Sequence, residues 1–124
     1  MKISSWIFKL AITVLVIGLP LQVTAESRTV LNTTGLVAHL NEHCFVKGTV
    51  SRVSKHGIGN WILDIDVVYP NEAFTVVIFK PFVYRFQNLQ NLVGQTLIFH
   101  GWVVRAKDGG PKMVLENPSQ IVVQ

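Results

Sequence analysis

The run of alternating apolar and polar residues between positions 45 and 123 constrains the fold more than any other feature of this chain. Five segments show the period-two alternation of half-buried strands, and the fifth of them is interrupted. They comprise residues 45–53, 61–68, 73–80, 96–105, and the paired segments 112–116 and 120–123. Residues 84–91, between the third and fourth segments, are instead typical of a short helix. Most of the chain is therefore predicted to form one small β structure.

The order of these elements predicts the architecture. Five strands with a helix only between the third and the fourth match the five-stranded OB-fold Greek-key barrel, so an all-β fold is expected. Upstream, Leu36, Val37 and Leu40 recur at helical spacing, and Thr33 or Thr34 precedes them as a helix cap. The sequence thus predicts an OB barrel with a short N-terminal helix that leads into the first strand. Because such barrels bind many unrelated ligands, the fold alone names no function.

Residues 1–25 have the three-part layout of a secretory signal peptide. Lys2 and Lys9 accompany an apolar run over residues 10–21, and small residues at 23–25 provide a cleavage point. The alternative is an uncleaved membrane anchor, but the run is shorter than the roughly 20 residues needed to cross a bilayer. Cleavage after Ala25 would leave no membrane-inserted segment. The protein is therefore predicted to be exported, and to be periplasmic or secreted.

The part predicted to remain after cleavage, residues 26–124, has the size of one domain. It keeps nine basic and seven acidic residues, because Lys2 and Lys9 are two of the eleven basic residues of the chain. The resulting net charge of +2 is compatible with an anionic partner but does not require one. The only cysteine, Cys44, cannot form an internal disulfide and is interpreted as a buried small apolar side chain.

Alternation also predicts which side chains face the core. On the second strand, Asp64 and Asp66 mark the outer face, since an unpaired buried carboxylate is costly. Gly48 suits a first strand that must coil sharply in a small barrel. The inward positions on the second, third and fourth strands are Trp61, Leu63, Ile65 and Val67; Phe74, Val76 and Ile78; and Leu97, Phe99, Gly101 and Val103.

The groove of this fold binds single-stranded nucleic acid, oligosaccharide or a similar extended ligand across strands two and three, between the loops that join strands one to two and strands four to five. Single-stranded nucleic acid is held there by aromatic faces that stack on bases and by a basic track. The candidate stacking residues are Phe79 and Trp102. The candidate basic residues are Lys47, Lys55, Lys80, Arg105, Lys107 and Lys112. Lys55 and Lys107 belong to the two bordering loops. The alternative interpretation is an ordinary solvated surface.

One short motif has the spacing of a metal site. His39, Glu42 and His43 form H-x-x-E-H, the inverted zinc-peptidase pattern, at the join between the N-terminal helix and the first strand. A peptidase also needs a third, distant ligand and a cleft between lobes, for which a single small barrel leaves no room. Asp64 and Asp66 lack a third ligand for a cation, and the sequence has no nucleophile elbow or phosphate-cradling loop. The protein is therefore predicted to be non-enzymatic, with no catalytic residue, cofactor or metal site.

Several segments carry a resemblance to a known family. They are residues 69–79 (YPNEAFTVVIF), residues 92–97 (LVGQTL), Gly101 and residues 110–121 (GPKMVLENPSQI). Over about residues 37–123 the chain resembles small exported bacterial OB-fold proteins, which are similar to the anticodon-binding-type OB domains also found beside secreted nucleases. The resemblance implies an OB fold and binding of single-stranded nucleic acid. The chain departs from that pattern at Asp64 and Asp66, which a phosphate-binding face would not favour.

A second hypothesis is a protein-interaction module of the cell envelope or of a secretion system. Such a module would bind its partner through the same groove or through an edge strand. A contiguous apolar patch over Ile62, Val77, Phe79 and Ile98, with binding that depends weakly on salt, would favour it. Binding that depends steeply on salt would favour nucleic acid.

Overall fold

A computed structural model describes residues 28–123, which form one sheet of seven strands with short helical segments between them. The strands are β1 Val30–Leu31, β2 Glu42–His56, β3 Asn60–Ile65, β4 Phe74–Ile78, β5 Thr96–Arg105, β6 Pro111–Val114 and β7 Ile121–Val123. One α-helical turn, α1, covers Lys80–Val83. Three 3-10 turns cover Leu36–His39, Leu89–Leu92 and Pro118–Gln120. The prediction of a mostly β structure is confirmed.

Five of the strands close into a ring. Strand β2 pairs with β3 on one side and with β5 on the other. Strand β3 pairs with β4, β4 with β6 in parallel, and β6 with β5. The two remaining strands lie outside the ring, since β1 pairs in parallel with β2 and β7 pairs with β5. A closed ring leaves its own strands without a free edge.

Strand β2 makes the closure possible because it is long enough to serve two neighbours. Its first half, Glu42 to Thr49, pairs with β5, and its second half, from Val50 to His56, pairs with β3. Gly48 lies at the change of partner, followed by a register shift between Val50 and Arg52. A Cβ atom at Gly48 would overlap Ile65 Cγ2, so glycine lets β2 and the end of β3 approach closely.

The core fills the interior of the ring with the side chains that alternation assigned to it. Phe74, Val76 and Ile78 are fully buried, as predicted. The same is true of Leu97, Phe99 and Val103 on β5, and of Leu63 and Ile65 on β3. Leu36, Phe86 and Leu89 join this core from the helical segments and the loop between them, and the half-buried Trp61 packs against it. The inward assignments of these strand residues are confirmed, whereas the inward assignment of Val67 is wrong because Val67 is exposed.

The end of β3 differs from the prediction. The strand stops at Ile65 because Asp66 adopts a left-handed backbone conformation with φ of 76°, so Val67 lies exposed beyond it. The Asp66 carboxylate accepts hydrogen bonds from the Thr33 hydroxyl and, at 2.9 Å, from the backbone N–H of Thr49. The prediction that Asp64 and Asp66 share one strand face is therefore wrong.

The helical segments also differ from the prediction. The helix expected over residues 84–91 is replaced by α1 and by the 3-10 turn Leu89–Leu92, which begins after Asn88 at φ of 52°. Pro81 lies in the first turn of α1, where proline is tolerated, and the Asn60 side chain accepts the backbone N–H of Lys80. The N-terminal helix is a 3-10 turn over Leu36–His39, and Gly35 precedes it in place of a threonine cap.

The predicted signal peptide, residues 1–25, lies outside the described residues. Within residues 28–123 no helix is long and apolar enough to cross a membrane.

Candidate functional site

A groove of about 550 Å³ crosses the outer faces of β3 and β4. Its floor comprises Ile62 and Asp64 from β3 and Thr75 and Val77 from β4. The other lining residues are Arg52, His56, Tyr69, Glu72, Ala106, Lys107, Asp108 and Lys112. The groove thus lies between the end of β2 and the loop that joins β5 to β6.

An ion pair neutralises the acidic floor of the groove. Arg52 Nε donates to Asp64 Oδ2 at 3.0 Å, across a β2–β3 register pair. Asp64 is only 2% exposed, whereas the Arg52 side chain is 46% exposed. The carboxylate is therefore shielded from the groove by a cation. The objection that Asp64 raises against an anionic ligand is much weaker than the sequence alone implied.

Two lysines occupy the opposite wall. Lys107 lies in the loop between β5 and β6, which is a tight turn with Gly109 at φ of 96°. Asp108 Oδ1 accepts the backbone N–H of Gly110 at 3.0 Å and so helps to shape this turn. Lys112 lies on β6, in register with Thr75 of β4, and so borders the floor directly. Lys112 borders the groove because β6 pairs in parallel with β4.

Tyr69 and His56 give the groove its two aromatic rings. Tyr69 is 63% exposed and follows β3 in the loop toward β4, beside Glu72. His56 ends β2, and it shares the outer face of that strand with Arg52. Sequence reasoning missed Arg52, His56 and Tyr69. Arg52 and His56 could have been found from the period-two alternation of β2, which places positions 52, 54 and 56 on one face of the strand.

The eight residues predicted to bind a ligand do not form one surface. Lys107 and Lys112 line the groove, and the other six do not. Lys55 holds its Nζ 5.5 Å from the centre of the Trp61 ring, and Lys80 begins α1 directly after Phe79. Arg105 donates to the carbonyl of Gly109 at 3.0 Å. Lys47 and Trp102 lie on the paired strands β2 and β5.

Trp102 belongs to a separate aromatic face on β2 and β5. The rings of Phe45 and His100 stack with their centres 4.7 Å apart. The rings of Trp102 and His43 meet edge-on, with their centres 5.7 Å apart. The guanidinium of Arg28 lies 4.6 Å from the centre of the Phe45 ring. Trp102 is 59% exposed, so this aromatic face presents one large side chain to solvent.

The H-x-x-E-H motif does not bring its two histidines into one cluster. Its histidines separate, because the 3-10 turn ends at His39 and His43 lies on β2 within the aromatic face. His39 Nδ1 instead lies 2.9 Å from Glu42 Oε1, and the buried Cys44 follows on the same face of β2 as Glu42. Burial, together with the nearby Glu42 carboxylate, raises the pKa of the Cys44 thiol above its usual value.

No protein-family model matches this sequence, and a search of curated proteins finds no relative.

Proposed function

We propose that this protein is a non-enzymatic, exported OB-fold domain that binds single-stranded nucleic acid in the groove across β3 and β4. The order of the ring, β2-β3-β4-β6-β5 with a parallel β4–β6 pair, supports the OB assignment. The export proposal comes from the leader-like residues 1–25. The observation that carries the ligand proposal is the groove itself, with Lys107 and Lys112 on one wall.

The groove offers the three kinds of contact that a single strand needs. Lys107 and Lys112 supply positive charge for backbone phosphates. The exposed ring of Tyr69 supplies a face on which a base can stack. Ile62 and Val77 supply an apolar floor between these groups. A ligand of a few nucleotides, held by stacking more than by charge, fits this arrangement best.

The charge balance sets how steeply binding should depend on salt. Arg52 forms an ion pair with Asp64, so Lys107 and Lys112 are the basic side chains of the groove lining that remain to contact phosphates. Glu72 and Asp108 also line the groove, but they are acidic and do not attract phosphates. Each phosphate neutralised on a single strand contributes a slope of about −0.7 to log K against log salt. A total slope of about −1.4 is therefore expected.

The test is a fluorescence-anisotropy titration of the protein with a labelled single-stranded oligonucleotide at several salt concentrations. Lys107→Ala and Lys112→Ala should each flatten the slope by about 0.7. Tyr69→Ala should weaken binding by about 1–3 kcal/mol, the value of one lost stack. Lys47→Ala, which removes an exposed lysine from β2 outside the groove, is the matched control and should leave both quantities unchanged.

Two further variants test the sequence-based assignment of the stacking residues. Phe79→Ala and Trp102→Ala should weaken binding as strongly as Tyr69→Ala if the strand crosses their faces. An effect confined to these two variants would move the binding surface away from the groove. Binding that is absent, or that survives all three aromatic substitutions with no dependence on salt, would contradict the nucleic-acid proposal.

A second candidate function is a protein-interaction module of the cell envelope or of a secretion system. The aromatic face favours it, because Trp102 is largely exposed and tryptophan is enriched at the energetic centres of protein interfaces. Ile62 and Val77 lie in the groove and Ile98 lies on β5 beside β7, so the predicted apolar patch is divided. A partner whose binding is lost in Trp102→Ala and insensitive to salt would support this function over the first.

A further inference from the structure

Three potential metal ligands meet at the turn that enters β2. His39 Nδ1, a carboxylate oxygen of Glu42 and Cys44 Sγ all lie within 4.8 Å of one another. His39 Nδ1 and Glu42 Oε1 are 2.9 Å apart. Among the described residues, this is the only group of three or more such side chains close enough to share an ion.

The local backbone fixes this arrangement. The 3-10 turn ends at His39, Leu40 is extended, and Asn41 adopts φ of 67°, which turns the chain back on itself. The backbone N–H of Asn41 donates to the carbonyl of Val103 at 2.6 Å and so anchors the turn to β5. Glu42 and Cys44 then lie two residues apart on one strand, with both side chains on the same face.

We propose that His39, Glu42 and Cys44 bind one zinc ion at this turn, and that the Cys44 thiol releases its proton to solvent as the bond between sulfur and zinc forms. A nitrogen, an oxygen and a sulfur ligand are the three types that Zn²⁺ accepts, usually in a tetrahedral arrangement. The mixed set favours Zn²⁺ over Cu(I), which prefers sulfur ligands, and over Mg²⁺ or Ca²⁺, which prefer oxygen ligands. Three protein ligands leave a fourth position for water or an external group.

The burial of the three side chains suits an ion that enters from solvent. Glu42 is exposed and His39 partly so, whereas Cys44 is buried in the core. An ion can therefore reach the carboxylate and the imidazole directly, and the sulfur closes the site from the core side. His43 packs against Trp102 on the other face of β2 and takes no part.

The test uses the tag-free full chain and two metal ions as probes. Titration calorimetry with Zn²⁺ should give one equivalent bound. Titration with Co²⁺ should give the visible bands of tetrahedral cobalt together with a near-ultraviolet thiolate-to-cobalt band. Because Cys44 is the only cysteine of the chain, the thiolate band reports this site alone.

Three ligand variants and one control complete the experiment. Replacing an outer partner of a metal ligand typically costs about 10–100-fold in affinity, so His39→Ala and Glu42→Gln should cost more than about 100-fold. Both residues are solvent-accessible, and the variants should keep the parent's circular dichroism spectrum and thermal midpoint. Cys44→Ala should abolish the thiolate band. His43→Ala, the matched control one residue outside the cluster, should bind Zn²⁺ like the parent.

Some results would overturn the proposal. They are substoichiometric zinc binding by the parent, a cobalt spectrum without the thiolate band, and equal losses in His39→Ala and His43→Ala. Binding that is unchanged in Glu42→Gln would remove the carboxylate and reduce the site to two ligands, which also contradicts the proposed site. None of these results depends on whether the groove binds nucleic acid.

Discussion

Substitution of Gly48 by alanine tests the claim that close approach of β2 to the end of β3 allows the ring to close. An added Cβ would lie closer than 3.0 Å to Ile65 Cγ2, well inside the about 3.5–4.0 Å at which two carbon atoms attract. It would also lie 3.2 Å from Thr33 Cγ2 and 3.2 Å from Asp66 Oδ1. Ile65 is fully buried and branched at Cβ, so it has no free space to move into.

The expected cost follows from this lack of free space. Overpacking of a well-packed core costs about 1–3 kcal/mol, and Gly48→Ala should reach the upper end of that range. For a domain of this size, a loss near 3 kcal/mol lowers the thermal midpoint by roughly 12–24 °C. Thermal and guanidinium unfolding followed by circular dichroism would measure both quantities.

Two other glycines supply a graded comparison. A Cβ at Gly101 would lie 3.0 Å from Gln120 Nε2 and 3.2 Å from the Met113 side chain, which are flexible neighbours, so Gly101→Ala should cost less than Gly48→Ala. A Cβ at Gly110 would meet only Asp108 Oδ1 at 3.6 Å, so Gly110→Ala should be close to neutral. Equal effects at Gly48 and Gly110 would refute the close-approach explanation.

Three further predictions concern the core, the groove and export. Ile78→Ala and Phe99→Ala should each lower the free energy of unfolding by about 2–5 kcal/mol, measured by denaturant titration; melting within a degree or two of the parent would contradict their burial. Arg52→Ala should cost about 1–3 kcal/mol in the same assay, less than the roughly 3–5 kcal/mol of a fully buried pair, because water partly screens Arg52. Adding Asp64→Asn to Arg52→Ala should recover part of that loss, and a simple sum of the two single losses would argue against their coupling. The exported protein should begin at Glu26 by N-terminal sequencing, and a product that begins at Met1 would rule out signal cleavage.

Alternation predicted the core because the inward residues of these strands repeat strictly every second position. Phe74, Val76 and Ile78 show this pattern, and they are buried as expected. The end of β3 could not be predicted in the same way. The positive φ of Asp66 is accompanied by hydrogen bonds from Thr33 and Thr49, which lie far away in sequence and come close only in the folded chain.

Only some of the residues predicted to bind a ligand line the groove, and the reason is geometric. Lys107 and Lys112 follow from the order of loops and strands, and both line the groove. Trp102 was assigned to the same surface because it faces outward from β5. In a closed ring, however, outward directions on different strands diverge, and Trp102 lies beside His43 on β2, away from β3 and β4. Alternation predicts whether a side chain points inward or outward, but only the order in which the strands pair determines which other side chains lie beside it.

The double partnership of β2 has a consequence for the order in which the chain folds. Its second half meets β3 through a short hairpin, so that pairing involves residues close in sequence. The first half of β2 can pair only after β5 has been synthesised and has reached it, since Val46 lies opposite Phe99 in that pairing. Pairing between such distant residues slows folding, which is expected on a scale of milliseconds to seconds. Until β5 arrives, one side of β2 is an unpaired edge, and such edges are sites of aggregation. Newly made chains should therefore aggregate most readily when they end before residue 96.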